Sequence, residues 1–194
     1  MPEPITLEIE DDLRRSRLTV LFRFLLAFPH YFWVAAWSLL AFAAAVAHWP
    51  FLLLGGRPAR SLHRFCAAYL EYVTHVAAYL LLVANPFPRF AGTSPYPVRI
   101  VVPPAAAQRR WKTLLRVVLV VPAFVFSEVL DVVAGIVAFL AWFVCVATGR
   151  IPKGMRDLNA YILRYRQQTA AYLLLVSDAY PRLESAERYL PKRP

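Results

Sequence analysis

The chain has 194 residues, 59% of them hydrophobic, with a mean hydropathy of +0.47 and a formal net charge of +10, too apolar for an ordinary water-soluble domain of this length. Two cysteines, Cys66 and Cys145, exclude a disulfide framework and a cysteine-based zinc cluster. Six glycines, in no phosphate-loop pattern, exclude the usual nucleotide-binding fingerprints.

The chain starts acidic, with Glu8, Glu10, Asp11 and Asp12 where a secretory leader would be basic, so no cleaved leader is expected. Ile5, Leu7 and Ile9 alternate as in a short strand. Residues 24–56 hold no Lys or Arg and read as a bilayer segment. The next stretch spaces Leu62, Phe65, Cys66, Tyr69, Leu70, Val73, Val76, Ala77 and Leu80 three and four apart, which predicts an amphipathic helix. Prolines at 86 and 88 end it. The same order then recurs: a strand at Val98, Ile100 and Val102; an apolar window over 117–149; an amphipathic helix carrying Leu158, Ile162, Leu163, Ala170 and Leu173; and a turn closing at Pro181. Residues 184–194 read as a polar, disordered tail, so the chain divides into membrane repeats at 1–93 and 94–183 plus that tail.

The two halves are a duplication with a fixed offset of 93 positions. Arg17 falls on Arg110, Arg23 on Arg116, Pro29 on Pro122, Trp49 on Trp142 and Gly56 on Gly149. The seven residues 77–83 are identical to 170–176, and 22 of the 74 gap-free pairs from residue 17 to 90 are identities, about 30%.

A straight helix of 33 residues is about 50 Å long, well beyond a hydrocarbon core of about 30 Å. Folding each window into a helical hairpin instead places all 22 basic residues on one face. The hairpin also puts Ser127, Glu128 and Asp131 in a wet turn rather than deep in lipid. The expected fold is therefore an all-α integral membrane protein of two tandem repeats, each a strand, a transmembrane hairpin and an interfacial amphipathic helix. The repeats would be related by an axis along the membrane normal, with the two strands paired across it.

Tyr96-Pro97-Val98, Arg110-Trp111, Leu115-Arg116, Pro122, Gly149-Arg150 with Pro152, Ala171-Tyr172 and Tyr180-Pro181 together resemble the prokaryotic membrane family known as domain of unknown function 4389, present as two tandem copies. The first copy departs at Arg57-Pro58, where the proline comes one position early, and at Asn85 to Pro88. The resemblance implies a bacterial integral membrane protein and carries no activity with it.

Individual residues give weak leads. Glu71 and His75 are four apart on one helix face, a metal-binding spacing, but the second copy has Arg164 and Gln168 there and no third ligand is evident. His30 and His48 lie in or at the apolar window and are aligned with Ala123 and Ala141; a hydrogen bond to a neighbouring helix suffices for them. Cys66 is read as a buried apolar residue in preference to an acylation site. Glu128 and Asp131, three apart, form the candidate ion site. Arg23, Arg57, Arg116, Arg150 and Arg166 are the candidate contacts to lipid headgroups, with Arg23 and Arg116 snorkelling to phosphate level. Asn159 and Arg166 interrupt the apolar stripe of the second amphipathic helix. No catalytic constellation, metal or cofactor is expected, and the flanking basic residues suit an anionic leaflet better than nucleic acid.

The expected function is that of a non-enzymatic structural, membrane-shaping or accessory subunit in the bacterial cell membrane, multi-pass, with the basic face and both termini cytoplasmic. Anionic lipids, a protein partner or further copies of the chain are its expected contacts. A small transporter or channel using Glu128 and Asp131 is the alternative.

Overall fold

In the computed structural model, the described residues are 5–56, 58–90, 96–108, 110–184 and 187–190. The chain is mostly helical. Strand β1 (Thr6–Glu10) leads through a short helix α1 (Arg17–Leu21) into the long α2 (Arg23–Gly55), and α3 (Arg60–Leu80) returns alongside it. Strand β2 (Val98–Val101), the long α4 (Arg110–Thr148) and α5 (Lys153–Leu173) repeat that order, and β3 (Glu187–Leu190) closes the chain.

The hairpin expectation is overturned. The α2 helix runs unbroken for 33 residues and α4 for 39, about 50 and 58 Å, and Ser127, Glu128 and Asp131 sit inside α4 rather than in a turn. No glycine or proline interrupts residues 30–49 or 123–134, so nothing in the backbone favours a turn there. The hairpin in each repeat is instead made by a long helix and its amphipathic partner, turning at Gly56 and Gly149. Both glycines are left-handed, at φ 63° and 73°, the conformation that ends a helix at little cost only for glycine.

Each long helix buries a single stripe. On α2 it is Arg23, Ala27, His30, Ala41, Ala45, His48 and Leu52; on α4 the residues 93 positions later are all buried as well. The small residues of the stripe let α3 and α5 approach closely. Ser38 hydroxyl donates to Val34 O at 2.7 Å, so this polar group is satisfied within its own helix.

The strands pair as foreseen across the internal axis. β1 and β2 are antiparallel with Leu7 opposite Ile100, which are themselves equivalent positions, so the pseudo-twofold passes through that pair. Ile5, Leu7, Ile9, Val98 and Ile100 are buried against α3 and α5. The tail corrects a second expectation: β3 pairs in parallel with β1, giving the sheet order β2-β1-β3.

Candidate functional site

The most heavily built region of the molecule is duplicated: it is the end of α3 and of α5, where the identical runs 77–83 and 170–176 lie. Leu82 and Leu175 adopt left-handed backbone, φ 61° and 62°, a conformation costing about 1–3 kcal/mol in a residue with a side chain. The turn leaves Tyr79 O and Tyr172 O with one long backbone bond each, from Leu82 N at 3.2 Å and Leu175 N at 3.3 Å, and room for a second donor. Arg23 and Arg116 supply it. Arg23 Nη1 donates to Tyr79 O and, at 3.4 Å, to Ala84 O; Arg116 Nη1 donates to Tyr172 O at 2.8 Å and Ser177 O at 3.3 Å. Each guanidinium also lies over the ring of the same tyrosine, 4.3 Å from Tyr79 and 4.4 Å from Tyr172. A cation at a helix C-terminus is favoured by the helix dipole as well.

The two copies complete this arrangement differently. In the second, Arg116 Nη2 donates to Gln108 Oε1 at 2.9 Å and to the Asp178 carboxylate at 3.1 Å, while Gln108 Nε2 donates to Leu175 O. In the first, Arg15 stands at the position of Gln108 and donates to Leu82 O and Val83 O, its charge met bidentately by Asp11 at 2.8 Å. Arg15 and Asp11 are four apart in sequence, the one clue by which their pairing was open to sequence reading.

Arg23 and Arg116 are therefore 1% and 2% exposed and face inward, which corrects the expectation that they reach lipid phosphates. Arg150 is exposed, in an isolated bridge with Arg14. Arg166 is also exposed and reaches Asp131 at 3.6 Å, while Glu128 stands on the outside of α4. Arg57 lies outside the described residues. The four described arginines thus do not gather at one site.

The histidines serve as links between elements. His30 Nδ1 and Tyr72 hydroxyl lie 2.6 Å apart, and His48 Nε2 accepts from Ala59 N, the residue capping α3. His75 is buried, stacks 4.4 Å from Tyr96 and is hydrogen-bonded to the Val98 backbone; desolvation lowers its pKa to about 4. Gln168, its counterpart, donates to Ile5 O at 2.8 Å, so both copies tie a helix to the equivalent strand residue. Cys66 is buried, and desolvation pushes its thiol up to about 11. Among the described residues no group of three or more His, Cys, Asp or Glu gathers as a metal site would need.

The outer faces of the two long helices are largely apolar. Phe24, Phe28, Phe32, Leu39, Phe42 and Leu54 on α2, and Val118, Val125, Val132, Ile136 and Phe143 on α4, are all exposed. Only 28% and 22% of the most apolar stretches of the two helices are buried, far less than in the core helix of a soluble protein.

A family model described as Domain of unknown function (DUF4389) matches residues 17–91 and again 110–183. The chain belongs to the DUF4389 family. Each DUF4389 segment contributes one long apolar helix, its amphipathic partner and one arginine-capped helix end. No curated protein and no solved structure matches the chain.

Proposed function

We propose that this DUF4389 protein is a non-enzymatic structural or accessory protein embedded in one leaflet of a membrane, with α2 and α4 lying along the bilayer plane and the sheet in water. The observation that carries this reading is the single buried stripe on each long helix, beside a circumference that is largely apolar and broken on α4 by Glu128 and Asp131. Lipid is the solvent that tolerates such a surface.

The in-plane orientation rests on the partners of the long helices. α3 runs beside α2 from His48, next to Ala59, back to Arg23, next to Tyr79, and carries Arg60, Arg64 and Glu71 along that length. α5 follows α4 in the same way with Lys153, Asp157 and Arg166. A transbilayer α2 or α4 would draw these charges through hydrocarbon, at about 2.5–3.5 kcal/mol each on insertion scales. In the plane they stay at the headgroup level, where the net charge of +10 favours an anionic leaflet. Two helices wedged into one leaflet would favour curvature, which makes membrane shaping the specific expectation. A transporter using Glu128 and Asp131 has less support, because Asp131 is already faced by Arg166.

Spin labels placed singly at Leu25, Leu39 and Leu54 in reconstituted protein test the orientation. Similar depths for all three, with binding that increases on small anionic vesicles, are expected. Depths that progress across the bilayer, or indifference to vesicle diameter and charge, would refute the reading.

A further inference from the structure

The pseudo-twofold maps each edge of the β1–β2 pair onto the other, yet among the described residues only the β1 edge carries a further strand. There β3 lies parallel to β1, with Glu187 opposite Leu7 and Tyr189 opposite Ile9, and the Tyr189 ring sits 4.4 Å over the Arg156 guanidinium of α5. Shifting these positions by 93 residues turns Leu7 into Ile100, Ile9 into Val102 and Arg156 into His63. All three line open space. A groove of about 600 Å³ between β2 and α3 is bordered by Arg64, Ala67, Glu71, Ile100 and Val102, and it continues into one of about 450 Å³ reaching His63 and Pro104. Among the described residues, then, two copies of one strand-binding groove stand, one filled by β3 and one open.

We propose that the open groove receives an extended, acidic segment of a partner protein, which adds to β2 as a parallel strand and places an aromatic side chain over His63. An unpaired sheet edge offers a row of backbone donors and acceptors to such a segment. The equivalence with Tyr189 sets the aromatic opposite Val102. Charge selects the rest of the sequence. Arg60 and Arg64 stand at the rim where the filled groove has Lys153 and Asp157, against Glu71 as the acid in the lining. The same charge disfavours the tail of a second copy, whose final residues include Lys192 and Arg193.

The test uses the full chain in detergent micelles and a fluorescein-labelled peptide that alternates glutamate with valine around one central tyrosine. Saturable binding at micromolar concentration is expected by anisotropy, with slower amide exchange in β2. Arg60→Glu with Arg64→Glu should weaken it at least tenfold, and Ala67→Phe, which fills the groove floor, should remove it; both variants should keep wild-type helical circular dichroism. A peptide with lysine in place of glutamate should not bind. The proposal is overturned by no saturable binding of the acidic peptide at millimolar concentration, by equal binding of the lysine peptide, or by unchanged affinity in both groove variants. It is equally overturned if binding appears only after removal of residues 184–194 from a chain that is otherwise dimeric, since the occupant is then a second copy.

Discussion

Replacing His75 by glutamine, the residue its own duplicate carries as Gln168, should remove an acid-sensitive element of stability while keeping the bond to the strand. His75 is buried against Tyr96, with Arg99 and Glu71 as the nearby charges, and its pKa falls to about 4 from the ordinary 6.5, chiefly through desolvation. Between those values the unfolded chain binds a proton that the folded one refuses, so stability is full above pH 6.5 and falls as the pH drops toward 4. The whole window is worth about 3 kcal/mol, of which about 2 are lost by pH 5. For a chain of this size the latter corresponds to a fall in Tm of about 4–8 °C between pH 8 and pH 5. Thermal unfolding in detergent, followed by circular dichroism at both pH values, should show that fall in wild type and a fall smaller by this amount in His75→Gln. Carboxylates that also titrate in the range contribute equally to both proteins and cancel in the comparison. Parallel losses in the two proteins would refute the reasoning, as would an acid-stable wild type.

Arg116→Ala should lower stability by about 3 kcal/mol in the same unfolding assay, because it removes the donor to the Ser177 carbonyl, leaves Tyr172 O with only the Leu175 N–H, and leaves the Asp178 carboxylate without its cation; a loss under about 1 kcal/mol would show that the cap is dispensable. Trp49→Phe and Trp142→Phe each remove an indole bond between repeats, to Thr113 O at 3.1 Å and Val20 O at 2.8 Å. Each should cost about 1 kcal/mol, and their sum should describe the double variant within about 0.5 kcal/mol, since the two sites share no partner.

Much of the architecture was legible because a duplication declares its own symmetry. Once Arg23 is aligned with Arg116 and Trp49 with Trp142, the repeated cap and the reciprocal indole bonds follow as one set of contacts used twice. Strand pairing across the axis was open to the same reading. The hairpin expectation rested on matching helix length to bilayer thickness and on gathering the basic residues on one face, which both assume that the long helices cross the bilayer. Asp131 has its partner on α5 in Arg166, which sequence reads as an interruption of the stripe and a headgroup contact. The inward turn of Arg23 and Arg116 was hidden for a different reason. It depends on carbonyls exposed by left-handed Leu82 and Leu175, a backbone state that leucine rarely adopts and sequence therefore does not announce. For β3, the short Glu187–Leu190 run lacks the β-branched alternation of β1 and β2, and its strand character comes from the edge it joins.

The places where the copies differ separate packing from function. Inside the molecule, differences are compensated pairwise: Arg15 replaces Gln108 and brings in Asp11, Asn85 replaces Asp178, and His75 and Gln168 hold equivalent strand carbonyls. Each exchange keeps the acceptors satisfied, as buried carbonyls require. At the sheet edges the difference is not compensated. Tyr189 lies in one groove while Arg60 and Arg64 border the other, where Glu71 is the acid in the lining. A duplicated core that stays equivalent while one edge turns basic and open is what selection for a partner at that edge would leave.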